Sequence, residues 1–238
     1  MKLIALVALL ICFLSCSKKD SLIARPPIPD CRIVSAHYTG GQLEFTYNLS
    51  YDSNGRLSKL TYDGPTAFTK TFSYSGNFIY INMVAMDYSA TDTIALNTTG
   101  LIATHKETTK DTVYNTVFSY DANGQVISST TQKNNIAPVT TYYTFTNGDL
   151  TNTLSGSLKD TTTYAPDKPA VKGNLDDFNQ LIYYGSFYYK NKHLKDSFSS
   201  WPYHYNFTYT YDEDGKITSV VSNNGTISES FSFTYECD

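Results

Sequence analysis

Tyr120-Asp121-Ala122-Asn123-Gly124-Gln125-Val126 is one of three segments of this chain that align without gaps; the others are Tyr51-Asp52-Ser53-Asn54-Gly55-Arg56-Leu57 and Tyr211-Asp212-Glu213-Asp214-Gly215-Lys216-Ile217. An Asp or Asn side chain hydrogen-bonds the backbone just ahead of it, and Gly supplies the positive φ of a tight hairpin, so each segment reads as a turn between two strands. Degenerate copies surround Gly76, Gly100, Gly148 and Gly225. The glycines at 76, 100, 124 and 148 fall 24 residues apart, a period that marks a repeated supersecondary unit.

The flanks of these turns alternate as strands do. Phe207, Tyr209 and Tyr211 share one face against Thr208 and Thr210, Phe231, Phe233 and Tyr235 oppose Ser232 and Thr234, and Phe45, Tyr47, Leu49 and Tyr51 repeat the pattern. Twenty-four residues hold two strands and a return turn at the opposite end, for which Asp63-Gly64-Pro65 and the stretch 134–138 are candidates. The 21 Tyr and 13 Phe suit half-buried pleated surfaces. The expectation is an all-β fold: a long antiparallel meander of repeated hairpins that must curl into an open or closed barrel, because twist accumulates and free edges invite pairing with other chains. Between Pro166 and Trp201 the glycine period lapses. There the stretch 174–182 reads either as an irregular insertion or as a short helix capped by Asn174, with Asp176 and Asp177 in its first turn and Leu175, Phe178 and Ile182 on one face. The helix is the preferred reading.

Residues 1–15 read as a signal peptide: Lys2 precedes an apolar run from Leu3 to Leu14, too short for the roughly 20 residues a spanning helix needs. Phe13-Leu14-Ser15-Cys16 resembles the bacterial lipobox, which implies lipidation of Cys16 and a membrane partner reached through that anchor. Residues 16–30, polar and then punctuated by Pro26, Pro27 and Pro29, form the expected tether, and residues 31–238 the single folded domain. Ser17-Lys18-Lys19-Asp20 weakly resembles the tract that sends Bacteroidetes-type lipoproteins to the cell surface, so the outer membrane, facing outward, is the favoured address. Without Lys2 the chain carries 17 basic against 22 acidic residues, which argues against nucleic acid as a partner. With Cys12 lost and Cys16 lipidated, Cys31 and Cys237 remain; in an oxidising compartment they are expected to pair, two free thiols being the alternative.

The Tyr-Asp-x-x-Gly-x-(Leu/Ile/Val) units resemble the YD repeats of RHS-type proteins. Together with the lipobox, Cys31 and Tyr235-Glu236-Cys237, residues 31–237 resemble Bacteroidetes-type lipoproteins with a porin-like, curled or barrel-like sheet. That resemblance implies location and fold, and it carries no catalytic residue. Outward-facing Thr, Asn, Lys and Ser lead to the expectation of a soluble barrel beside the membrane rather than one inserted in it.

Nucleophile-elbow, zinc-protease, phosphate-loop and dinucleotide motifs are all missing from the sequence, so no catalytic residue, metal or cofactor is expected. His37, His105, His193 and His204 are scattered as packing or surface residues are. The richest candidate surface is aromatic. Trp201, Tyr203, His204, Tyr188 and His193 are the chosen ligand-contact residues, and Trp201 beside Pro202 is the best single choice. The favoured function is a non-catalytic lipoprotein that binds a glycan, an apolar ligand or an envelope protein. The alternatives are a surface glycan hydrolase whose carboxylates converge only in the fold, or a purely structural or adhesive module.

Overall fold

The computed structural model describes residues 31–237; the expected signal, lipidation site and tether lie outside the described residues. Sixteen strands follow in chain order: β1 (Cys31–Gly40), β2 (Leu43–Tyr51), β3 (Leu57–Tyr62), β4 (Phe68–Ser75), β5 (Phe78–Ala85), β6 (Ser89–Leu96), β7 (Ile102–Thr109), β8 (Val113–Tyr120), β9 (Val126–Lys133), β10 (Val139–Thr146), β11 (Asp149–Ser155), β12 (Leu158–Pro169), β13 (His193–Ser200), β14 (Tyr203–Tyr211), β15 (Ile217–Asn223) and β16 (Ser228–Cys237). One helix, α1 (Leu175–Tyr184), interrupts them between β12 and β13. Each strand pairs antiparallel with the next, and β1 pairs with β16, so the meander closes as a barrel and leaves no free edge. Cys31 and Cys237 are cross-strand partners at that seam, joined by an S–S bond of 2.03 Å.

Six of the seven repeat turns lie at one end of the barrel, the copy around Gly225 turning at the other between β15 and β16, and four of the six share one chemistry. Asp121 Oδ1 accepts from the backbone N–H of Asn123 and Gln125 at 2.9 and 2.8 Å, while its own N–H donates to the Gln125 carbonyl. Asp52, Asp212 and Asn97 repeat the arrangement. Gly124 closes its turn at φ 77°, in the left-handed region that favours glycine.

The apolar residue that ends each unit starts the core. Leu57, Ile102, Val126 and Ile217 are almost completely buried at the repeat end, with Ile79, Ile94 and Leu194 beside them. A belt of tyrosines seals this ring. Tyr51, Tyr74, Tyr120, Tyr164, Tyr209 and Tyr235 each donate a hydroxyl hydrogen bond of 2.6–2.9 Å to a backbone carbonyl of the preceding strand. A buried phenol needs such a partner, which explains the Tyr that opens the units at Tyr51, Tyr74 and Tyr120 where Phe would fill the same volume; in the copy that opens on the exposed Tyr211, Tyr209 takes that place.

Sixteen strands enclose more space than wall side chains fill. The helix occupies the repeat-end part of it. Asn174 caps α1, accepting from the Asp177 N–H at 2.9 Å, and Gly185 ends it in the left-handed conformation. The helix runs two residues beyond the expected 182, to Tyr184. Phe178 and Ile182 are buried, Phe178 packing edge-on or tilted against Tyr47, Phe231 and Phe233. Backbone bonds sew the flanks of the helix to the rim: Ile217 N–H donates to the Lys172 carbonyl and Ile102 N–H to that of Phe187. The barrel is therefore floored at its repeat end.

Candidate functional site: an open cup lined by aromatic side chains

On β1, β2, β5 and β16 the burial of the inward row falls off from the floor toward the opposite end, whereas on β6 it persists to Ala90 near the mouth. Along β5 the inward side chains go from buried Ile79 and Ile81 to half-buried Met83 and Ala85; along β2 they go from buried Leu49 to half-buried Tyr47 and Phe45. β1 and β16 behave alike, with Ala36 and Phe233 buried and Tyr38 and Phe231 half-buried. Above the helix the interior is thus open, as a cup whose mouth is formed by the return turns.

One side of the cup is an aromatic strip that crosses five adjacent strands: Phe231, Tyr38, Phe45, Tyr62 and Phe68, with successive ring centroids 5.1, 4.4, 4.9 and 4.9 Å apart. Tyr38 with Phe45 and Tyr62 with Phe68 are stacked at 14° and 20°, so these rings cover each other's faces and turn edges to the cup. Burial, above all, pushes the Tyr38 phenol up to about 12, with the nearby Glu229 carboxylate acting in the same direction.

The adjoining wall, from β4 to β7, is polar. Asp92 and His105 meet at 2.9 Å, and the Tyr88 hydroxyl donates to Glu107 at 3.3 Å. The buried Lys70 Nζ donates to the Ile182 carbonyl of the helix at 3.3 Å and lies 5.1 Å from the centre of the Tyr183 ring. Burial lowers the Lys70 pKa, and the Asp92 and Glu107 carboxylates oppose that shift. Asp92, His105 and Glu107 place one donor atom each within 4.8 Å of one another, a spacing compatible with a divalent cation. The ammonium of Lys70 already supplies positive charge to the same carboxylates, so the group reads as an internally compensated network.

The chosen ligand-contact residues do not form one surface. Trp201, Tyr203 and His204 sit at the mouth, where β13 turns into β14, whereas Tyr188 and His193 belong to the floor. β13 separates the two groups by about 25 Å along its length. The separation has a physical cause: residues near in sequence but at opposite ends of a strand face opposite ends of a barrel. His204 bonds Ser199 on the outer face. His193 is pinned by Asp149, which accepts from its ring Nδ1 at 2.7 Å and from its backbone N–H. Tyr188 packs tilted against Phe118 and edge-on against Tyr184 and Tyr189.

Lys70, Asp92 and Glu107 escaped the sequence reading, yet a signal for them exists. Lys70 stands at the inward parity of Phe68 and Phe72, and Asp92 at that of Ala90 and Ile94, so each is a charge on an apolar row. Asp92 and Glu107 are also cross-strand partners on one wall. Glycosidase carboxylates flank the scissile bond, and these two do not face each other across a gap. Asp176 and Asp177 are held in the floor, the first by Lys195 at 2.6 Å and Asn191 at 2.9 Å, the second by Asn174.

No family model matches the chain, and no curated protein does. Among solved structures, a porin-like protein from Bacteroides uniformis ATCC 8492 superposes with a TM-score of 0.65 at 15% identity, covering 86% of this chain and 98% of that one. A porin-like protein from Bacteroides vulgatus ATCC 8482 gives 0.62 at 14% identity, covering 86% and 98%. At such identity the likeness defines the fold class: this chain is a closed, sixteen-stranded, porin-like barrel.

Proposed function

We propose that this chain is an exported, membrane-tethered, non-catalytic binding protein whose barrel stands in water and takes an amphiphilic ligand into the cup, its apolar part against the aromatic strip. The half-buried strip of Tyr38, Phe45, Tyr62, Phe68 and Phe231 carries this reading. Sugar recognition by stacking requires free ring faces, and here the faces are spent on neighbouring rings. What remains exposed is an apolar wall of ring edges, continued on β4 to β7 by a polar wall suited to a headgroup.

The outward rows of β4 and β14 support a barrel in water, although β5 turns Phe78, Tyr80 and Val84 outward. β4 turns Thr69, Thr71 and Ser73 outward and β14 turns out Asn206, Thr208 and Thr210, where a lipid-facing strand carries an apolar band. The tether and lipid anchor rest on the lipobox-like Phe13-Leu14-Ser15-Cys16. Cys16→Ala is expected to leave unprocessed precursor, and an unmodified Cys16 by intact-mass analysis refutes the anchor.

Titration calorimetry of residues 31–238 with dodecylphosphocholine below its critical micelle concentration tests the cup. Saturable binding with a negative heat-capacity change is expected, and it should be lost in Phe45→Ala/Phe68→Ala. Binding of soluble oligosaccharides in its place overturns the reading.

A further inference from the structure

The two ends of the barrel differ in what their turns expose. In the repeat-end turns (52–56, 76–77, 97–101, 121–125, 147–148 and 212–216) no large apolar side chain is exposed; the nearest, Phe78 and Tyr211, stand on the flanking strands. At the mouth, Met86, Ile136, Trp201 and Ile227 stand in the connections themselves, and Leu43 and Leu158 on the first residue after one. Met86 at 95%, Trp201 at 89%, Leu158 at 69% and Ile136 at 59% are the four most exposed large apolar residues among those described.

From this we propose that the mouth of the barrel docks on a lipid bilayer, each turn tip inserting its apolar side chain into the headgroup and upper acyl region. The arrangement favours a fluid surface over a protein. The tips stand on separate turns, Leu158 and Trp201 on neighbouring connections and Met86 and Ile136 on others further round the ring, so they offer a set of spaced insertion points rather than one patch spanning the mouth. A bilayer closes around each tip independently. Trp201 with Tyr203 two residues on places amphipathic rings at the depth such residues prefer.

Charge selects the kind of bilayer. The mouth connections hold Asp63, Asp87 and Asp111 against Lys110, so they give no attraction to anionic lipid, and a zwitterionic surface fits better. The chain enters the barrel at the opposite end, at Cys31. Fifteen residues from Cys16 to Cys31 reach about 50 Å, more than the roughly 27 Å of wall, so an anchor at Cys16 leaves the mouth free to meet a bilayer.

This inference does not rest on the cup binding a ligand, and its test is separate. Residues 31–238 close their own hydrogen bonding and core, and Trp201, the single Trp of the chain, reports on the mouth. With phosphatidylcholine vesicles, cosedimentation and a blue shift of Trp201 emission are expected, not strengthened by added phosphatidylglycerol. Met86→Ser/Ile136→Ser/Leu158→Ser, which keeps the reporter, should weaken association at least tenfold. Phe78→Ser/Tyr211→Ser at the other end should leave it unchanged. No vesicle-dependent shift, an equal loss in both variants, or a concentration-dependent dimer abolished by the mouth variant each overturn the proposal, the last because a second copy then covers the tips. Loss of dodecylphosphocholine binding in the Phe45→Ala/Phe68→Ala variant with vesicle binding intact separates the two sites.

Discussion

Asp121 illustrates how one side chain sets a hairpin. Its carboxylate satisfies two backbone donors that the turn would otherwise leave to solvent, and Gly124 takes the left-handed conformation that lets the chain reverse. A Cβ at Gly124 meets nothing within 4 Å, so a substitution there is penalised by backbone conformation and not by crowding. Gly124→Val is expected to cost about 1–3 kcal/mol, whereas Thr208→Val on an outward position should stay within about 0.5 kcal/mol. Urea melts of the two variants check this, and equal midpoints would remove the Gly-dependent turn from the account. The tyrosine that opens the unit acts similarly: Tyr120→Phe leaves the Ile102 carbonyl without its 2.6 Å partner and should cost about 1 kcal/mol by the same measurement.

At the scale of elements, α1 and the β1–β16 seam decide the architecture. The helix is short, and it is held by what it buries rather than by propensity. Truncating Phe178, which touches Tyr47, Phe231 and Phe233, is expected to cost about 3–5 kcal/mol in Phe178→Ala. Hydrogen exchange should localise the loss to the floor, with the tyrosines of β2 and β16 more exposed. At the seam, nine register pairs join the first strand to the last, and the disulfide closes a loop of 206 residues. In the chain-entropy model such a crosslink contributes about 4–5 kcal/mol. Reduction should therefore lower the denaturation midpoint sharply, and a midpoint unchanged by reductant would show that strand pairing alone holds the seam.

For the whole molecule the tyrosine belt predicts a titration. Burial above all raises the phenols of the belt residues Tyr51 and Tyr74 to about 12, and it does the same for Tyr47 on the inner wall of β2. These groups hold their protons more tightly folded than unfolded. Their stabilising contribution is complete below the unfolded value of about 10 and disappears as pH climbs through the folded value. The barrel is expected to unfold cooperatively between about pH 10 and 12, with tyrosinate absorbance appearing in the same transition. Independent titration of most phenols near pH 10, with the fold intact, would contradict the belt.

The sequence by itself determined the unit and its multiplication. Asp-x-x-Gly turns, period-two alternation and a 24-residue spacing are local properties, so an all-β meander followed from them, as did the capped helix, because Asn174 and the acidic first turn act on backbone groups within a few residues. Closure, the cup and its contents were settled only by the tertiary structure. Whether β1 meets β16 depends on twist summed over sixteen strands, and which residues share the cup depends on register between neighbours. That is why Asp92 and Glu107, fifteen positions apart, stand side by side on the inner wall, while Tyr188 and Trp201, thirteen apart, face opposite ends. A strand fixes which side of the sheet a residue faces every second position, but only the closed barrel fixes which end it serves and what it meets there.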